Sequence, residues 1–152
     1  MTPGRISEKV LAERSDWVRE MLERIRGLPL GSLDEFLEEP LAVDAAESCL
    51  RRALEALLDL GRHILAKGFG DAPAEYRKVA ERLGERGVLT REESTVFGRM
   101  ARYRNRMVHF YDRVSEEELF EACTVHLPDF ESVLGGMHRW IRDHPERIDR
   151  TL

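Results

Sequence analysis

The sequence predicts an all-α protein, an antiparallel four-helix bundle with one additional short helix. Three observations carry that expectation. Apolar residues recur at helical spacing along most of the chain, and no convincing run alternates polar with apolar residues. The pattern S/T-x-x-E, in which a hydroxyl and a carboxylate satisfy free amides at a helix start, recurs at Ser32–Glu35, Thr90–Glu93 and Ser115–Glu118. The segments between the helical periods are short, and most carry Gly or Pro. A chain of 152 residues has the length of one domain and can bury a core without disulfides or metal. Its hydrophobic fraction of 42% excludes a disordered chain despite 35% charged residues.

The first helix is expected from about Ile6 to Arg26, with Ile6, Val10, Trp17, Met21 and Ile25 near one stripe. "GLPLG" at 27–31 ends it, and "SLDEFLEE" from Ser32 forms a short helix that Pro40 punctuates. The second long helix spans about Leu41 to Lys67, with Gly68 and Gly70 as its stop. A third follows Asp71 and Pro73, carries Tyr76, Val79, Ala80 and Leu83 on its apolar face, and stops at Gly87. The fourth opens at Thr90 and reaches Val108 or Tyr111. The last is expected over about Ser115–Arg142, kinked near Val125 because Leu127-Pro128 interrupts it, and ended by His144-Pro145.

Cys49 and Cys123 sit inside apolar helical patterns, outside any C-x-x-C motif, and read as reduced core thiols. No apolar run approaches the ~20 residues of a membrane span, and "MTPGRISEKV" lacks the apolar stretch of a secretory signal. A soluble cytoplasmic protein is expected. His63, His126, His138 and His144 are scattered without paired-ligand spacing, so no metal site or cofactor is expected. Glu55 and Asp59 share the polar row of the second helix with Arg52 and Arg62 and read as solvated ion pairs, worth little each. A role for either acid in anchoring Arg104 stays open.

The net charge is −5, which argues against nucleic-acid binding by the whole surface. Charge is nevertheless concentrated in the fourth helix. From Arg99 to Arg113 there are five arginines (Arg99, Arg102, Arg104, Arg106, Arg113) and one acid, Asp112. Val96, Met100, Tyr103, Met107 and Phe110 form one apolar row of this helix; Phe97, Ala101, Val108 and Tyr111 form the next, and Arg104 falls in that second row. A guanidinium on an apolar stripe is costly unless it is paired or faces a wet cleft. His109 follows five residues later, an offset of roughly 140° on a straight helix. Asn105 and His109 share a face, whereas Arg104 and His109 do not. A joint site therefore needs a long reach by Arg104, a helix break near His109, or a second protomer's copy.

Arg104, Asn105, His109 and Tyr111 stand as R-N-x-x-x-H-x-Y near the end of a long helix. This motif resembles the HEPN superfamily and, within it, the HepT-like toxins. "RRALEALLDLGRHILAKGFG" at 51–70 resembles the second helix of that group, and the likeness runs from the first helix to the last. It implies one HEPN-like domain over residues 1–152 and a homodimer with paired motifs lining a cleft. It implies a metal-independent endoribonuclease toxin acting on RNA such as tRNA or mRNA. The implied antitoxin is an MntA-type nucleotidyltransferase that attaches AMP to the motif tyrosine, here Tyr111.

The residue types suit that chemistry. Without metal, the ribose 2′-hydroxyl is the nucleophile. The imidazole of His109 can take its proton or protonate the leaving oxygen. Arg104 can bind the phosphate bidentately and stabilise the charge developing on it. Asn105 can orient His109 or the phosphate, and Arg99, Arg102, Arg106 and Arg113 are candidates for flanking phosphates. AMP on Tyr111 would add bulk and negative charge beside these arginines. Two rivals stand beside this reading: a non-catalytic module that docks a nucleotidyltransferase partner, and a helical dimer whose arginines are structural.

Overall fold

The computed structural model describes residues 4–109 and 114–151. Ser7 opens the first helix: its hydroxyl accepts from the Val10 amide at 3.2 Å, so α1 runs Glu8–Arg26 rather than from Ile6. Ser32 caps α2 (Leu33–Leu37) through the Glu35 amide. Helix α3 starts with Pro40 at its first position, where a missing N–H costs nothing, and continues to Phe69. Then come α4 (Tyr76–Glu85), α5 (Arg91–Val108), α6 (Glu116–Thr124) and α7 (Pro128–Asp143). Thr90 and Ser115 form complete capping boxes with Glu93 and Glu118, as their spacing predicted.

The expected four-helix bundle with one extra short helix is not what forms. The chain is all-α in architecture, but seven α-helices are present among the described residues. The principal cause is Pro128. It has no N–H to donate, so the expected kink in the last helix becomes a full break: α6 ends at Thr124 and α7 begins at Pro128 itself. One strand pair also escaped the sequence pattern. Ile6–Ser7 (β1) pairs in parallel with Ile148–Asp149 (β2), after a 3-10 turn at Pro145–Arg147. Two residues are too short to show alternation.

Helix α3 is the axis of the fold. Leu50, Leu54, Leu57, Leu58, Ile64 and Leu65 are buried along it, and α1 packs along one side. Helices α4 and α5 lie together against another side, α7 leans on α5, and α2 with α6 covers the remaining flank, where the Phe36 and Phe120 rings meet at 5.7 Å. Gly61 sets how closely α4 and α5 approach. A Cβ there would stand 2.9 Å from Leu83 Cδ1 and 3.0 Å from Val79 Cγ1, with Phe97 Cε2 at 3.3 Å. Of the two expected stop residues, Gly70 ends α3 with φ of 66°, a left-handed cap. Gly68 instead lies inside the helix, buried beneath Ile6. Cys49 and Cys123 are buried and free, and burial, with Cys49 nearby, pushes the Cys123 thiol up to about 12.

Candidate active site

The motif lies at the end of the arginine-rich helix. Helix α5 keeps helical geometry to Val108, so Arg104 and Asn105 lie in its last turns. His109 is already extended, at φ −88° and ψ 117°, while its amide still donates to the Asn105 carbonyl at 3.1 Å. Arg104, Asn105 and His109 line one open cleft of about 770 Å³, and the helix ends at His109.

Arg104 is held from several sides. Its Nε and Nη2 each donate to Glu55 Oε1 of α3 at 3.4 Å, and its Nη1 donates to Asn105 Oδ1 at 3.3 Å. Its guanidinium carbon lies 4.7 Å from the centre of the Tyr76 ring at the start of α4. Glu55 also faces Arg51 at 3.6 Å, so one carboxylate serves two cations. The Arg104 side chain keeps 24% of its exposure, enough to remain open to the cleft. The costly guanidinium on an apolar stripe is thus paired and wet at once.

Tyr76 is itself tethered. Its hydroxyl donates to Asp59 Oδ1 of α3 at 2.7 Å, and burial followed by that bond raises its pKa, keeping it protonated. Arg62 lies 4.6 Å from the same ring centre and donates to the Pro73 and Ala74 carbonyls, pinning the segment that leads into α4. Glu55 and Asp59, expected as solvated ion pairs, are therefore structural partners of the cleft. Sequence reasoning placed Tyr76 only on an apolar face. Nothing in its local pattern signals that α4 brings it opposite Arg104.

The flanking arginines divide. Arg102 and Arg106 line the Arg104 cleft with Arg62 and Arg77. Five arginines and one carboxylate, Glu75, line it among the described residues, and Glu55, Asp59 and Glu118 pair with Arg104, Arg62 and Arg106 from outside the lining. Arg106 also makes a two-pronged pair with Glu118 at 2.6 and 3.1 Å, and that contact holds the Glu118 carboxyl below the usual range. Arg99 lines a different cavity, about 240 Å³, beside Tyr103 and His126. Tyr111 and Arg113 lie outside the described residues. His109 also borders a second groove, lined by Val43, Met107 and Val108 with the acids Asp44, Glu47 and Glu116. No group of three His, Cys, Asp or Glu side chains is placed to hold a metal ion among the described residues.

Residues 18–136 match the family model described as ribonuclease HepT-like. The tRNA nuclease HepT of Aphanizomenon flos-aquae is 25% identical over 126 residues, which span 82% of this chain and 85% of that protein. The tri-AMPylated HEPN toxin of Shewanella oneidensis, solved in complex with its MNT antitoxin, superposes with a TM-score of 0.77 at 22% identity, covering 86% of this chain and 97% of that one. YutE of Bacillus subtilis, a cytosolic protein of unknown function, superposes with a TM-score of 0.72 at 15% identity, covering 92% of this chain and 94% of its own. At these identities the two structures establish a shared fold.

Proposed function

The chain belongs to the ribonuclease HepT-like family, and from that premise we propose that it is a metal-independent endoribonuclease toxin of a toxin–antitoxin pair. The observation that carries the proposal is the convergence of Arg104, Asn105 and His109 on one arginine-lined cleft. Such a cleft attracts a phosphodiester backbone, and it supplies both a proton-transfer group and a charge-stabilising group at the same place.

In the proposed reaction a ribose 2′-oxygen attacks the adjacent phosphorus and loses its proton, and the bond from phosphorus to the 5′-oxygen breaks. His109 takes the proton from the 2′-hydroxyl or returns one to the departing oxygen. Arg104 holds the non-bridging oxygens as their charge grows. Asn105, whose Oδ1 accepts from Arg104 Nη1 at 3.3 Å, orients His109 or the phosphate. Arg102 and Arg106 flank the cleft and take neighbouring phosphates, with Arg113 as a further candidate; Arg99, which lines another cavity, is the weakest of the four.

The acting unit is a homodimer of a single domain over residues 1–152, working in the cytoplasm on RNA such as tRNA or mRNA. No helix among the described residues is long and apolar enough to cross a membrane. The antitoxin is a nucleotidyltransferase that attaches AMP to Tyr111, whose added negative charge would neutralise the arginine cluster. Tyr111→Phe should keep nuclease activity and escape the antitoxin; continued AMP incorporation into that variant would contradict the assigned position.

Incubation of the purified protein with tRNA and mRNA in excess EDTA tests the reaction class. Cutting that leaves 2′,3′-cyclic phosphate ends, and that a 2′-deoxy substitution at the scissile nucleotide blocks, is the expected outcome. A requirement for added metal would overturn the mechanism. An absence of cutting would favour the module that docks a nucleotidyltransferase without catalysis.

A further inference from the structure

The wall of the cleft facing the motif helix contributes more than shape. Tyr76 lies at the first position of α4, and two guanidiniums, Arg104 and Arg62, stand within 4.7 Å of its ring centre. Its hydroxyl is tied to Asp59 at 2.7 Å, and Asp59 faces Arg62 at 3.4 Å. The ring is thereby fixed to α3 at one end and presents its face to Arg104. The direct bonds from Arg104 to Glu55 are long, 3.4 Å each, and share one oxygen. They attract the guanidinium without fixing its plane. An aromatic face supplies what they lack, because a guanidinium stacks on it in a defined orientation.

We propose that Tyr76 is the positioning residue for Arg104: its anchored ring holds the guanidinium in the plane from which it meets the scissile phosphate. The inference rests on reading this cleft as a ribonuclease site. Its geometric half, the ring fixing the guanidinium, can be tested without any cleavage. The ring matters more than the hydroxyl, since Arg62, against the ring and bonded to the Pro73 and Ala74 carbonyls, still places it when the tether to Asp59 is lost. A misaligned Arg104 would leave RNA bound by the other arginines while the transition state loses its stabilising charge. The effect therefore falls on kcat and spares KM.

Tyr76→Phe and Tyr76→Leu test this with two readouts. The first is the Arg104 Nε–Hε resonance, assigned by its loss in Arg104→Lys. A proton over an aromatic face is shifted upfield, so the wild-type signal should be displaced, Tyr76→Phe should retain the displacement, and Tyr76→Leu should abolish it. The second is steady-state RNA cleavage. Tyr76→Leu should lower kcat by at least about tenfold with KM nearly unchanged, while Tyr76→Phe stays within about threefold of wild type. An undisplaced wild-type signal overturns the proposal whatever the cleavage. So does a Tyr76→Leu protein that cleaves like wild type, or one that loses KM and melting temperature together. If wild type cleaves nothing yet the resonance behaves as described, Tyr76 does hold Arg104, and the ribonuclease reading is what falls.

Discussion

Tyr103 buries a phenol oxygen that finds no hydrogen-bond partner among the described residues, and burial keeps it protonated. Phenylalanine removes that unsatisfied group and leaves the ring in place. Tyr103→Phe should be neutral or stabilise by up to about 1 kcal/mol in denaturant unfolding; clear destabilisation would reveal a partner for the oxygen. Two histidines make the opposite contribution. His63 accepts from the Ser7 amide at 3.2 Å, and its pKa is lowered by burial and then by Lys67 and Arg14. His138 contacts the Ser15 hydroxyl at 3.0 Å, and its pKa is lowered by burial and then by Arg19, against a smaller raising effect of Glu131. A lowered histidine pKa means that the unfolded chain binds protons first. Stability is fully present above the ordinary value of 6.5 and falls as pH drops from there through the folded-state pKa. Unfolding followed between pH 7.5 and 5.5 should show this decline, and replacing both histidines by glutamine should flatten it. At this scale the motif itself was legible, because Arg104 and His109 are separated by a few residues of one helix. The partners of Arg104 were not. Glu55, Asp59 and Tyr76 come from other helices, and their alignment depends on how α3 and α4 pack.

Elements lock together at two junctions. At the first, Glu93 closes the capping box of α5 and also receives Arg139 of α7 in two bonds of 2.7 and 3.0 Å. The Arg139 contact is the main reason that its carboxyl lies below the usual range. Thr90→Ala should cost about 1 kcal/mol, as loss of a helix cap does, measured by thermal or denaturant melting. At the second junction, Gly61 admits Leu83, Val79 and Phe97 against α3. Gly61→Val overpacks that contact and should destabilise by about 1–3 kcal/mol; a variant as stable as wild type would show that α4 and α5 can move away from α3 freely. Helix starts were readable because a capping box is a local pattern whose bonds span three residues. The split at Pro128 was only half readable: proline announces an interruption, but whether the helix bends or breaks depends on how α6 and α7 settle separately onto the core.

At the scale of the molecule, a net acidic chain gathers five arginines around one cleft, and His109 lines both that cleft and a groove edged by acids. Val108 remains 46% exposed beside His109, and Leu41 at the start of α3 is 81% exposed. A homodimer built around paired motifs would cover Val108, which stands next to His109. Wild type should sediment at twice the 17.6 kDa chain mass, and Val108→Glu should shift it toward the monomer; a monomeric wild type would contradict the dimeric cleft. The all-α class and the single arginine-rich helix were visible in the sequence, whereas the seven-helix arrangement and the pairing of chain ends through Ile6–Ser7 and Ile148–Asp149 arise from tertiary packing. The most direct test of the whole account is RNA cleavage in EDTA by wild type, Arg104→Ala and His109→Ala side by side. Cleavage by wild type that falls by at least about a hundredfold in each variant, with melting temperatures preserved, is what the account predicts. Equal cleavage by all three proteins would contradict it.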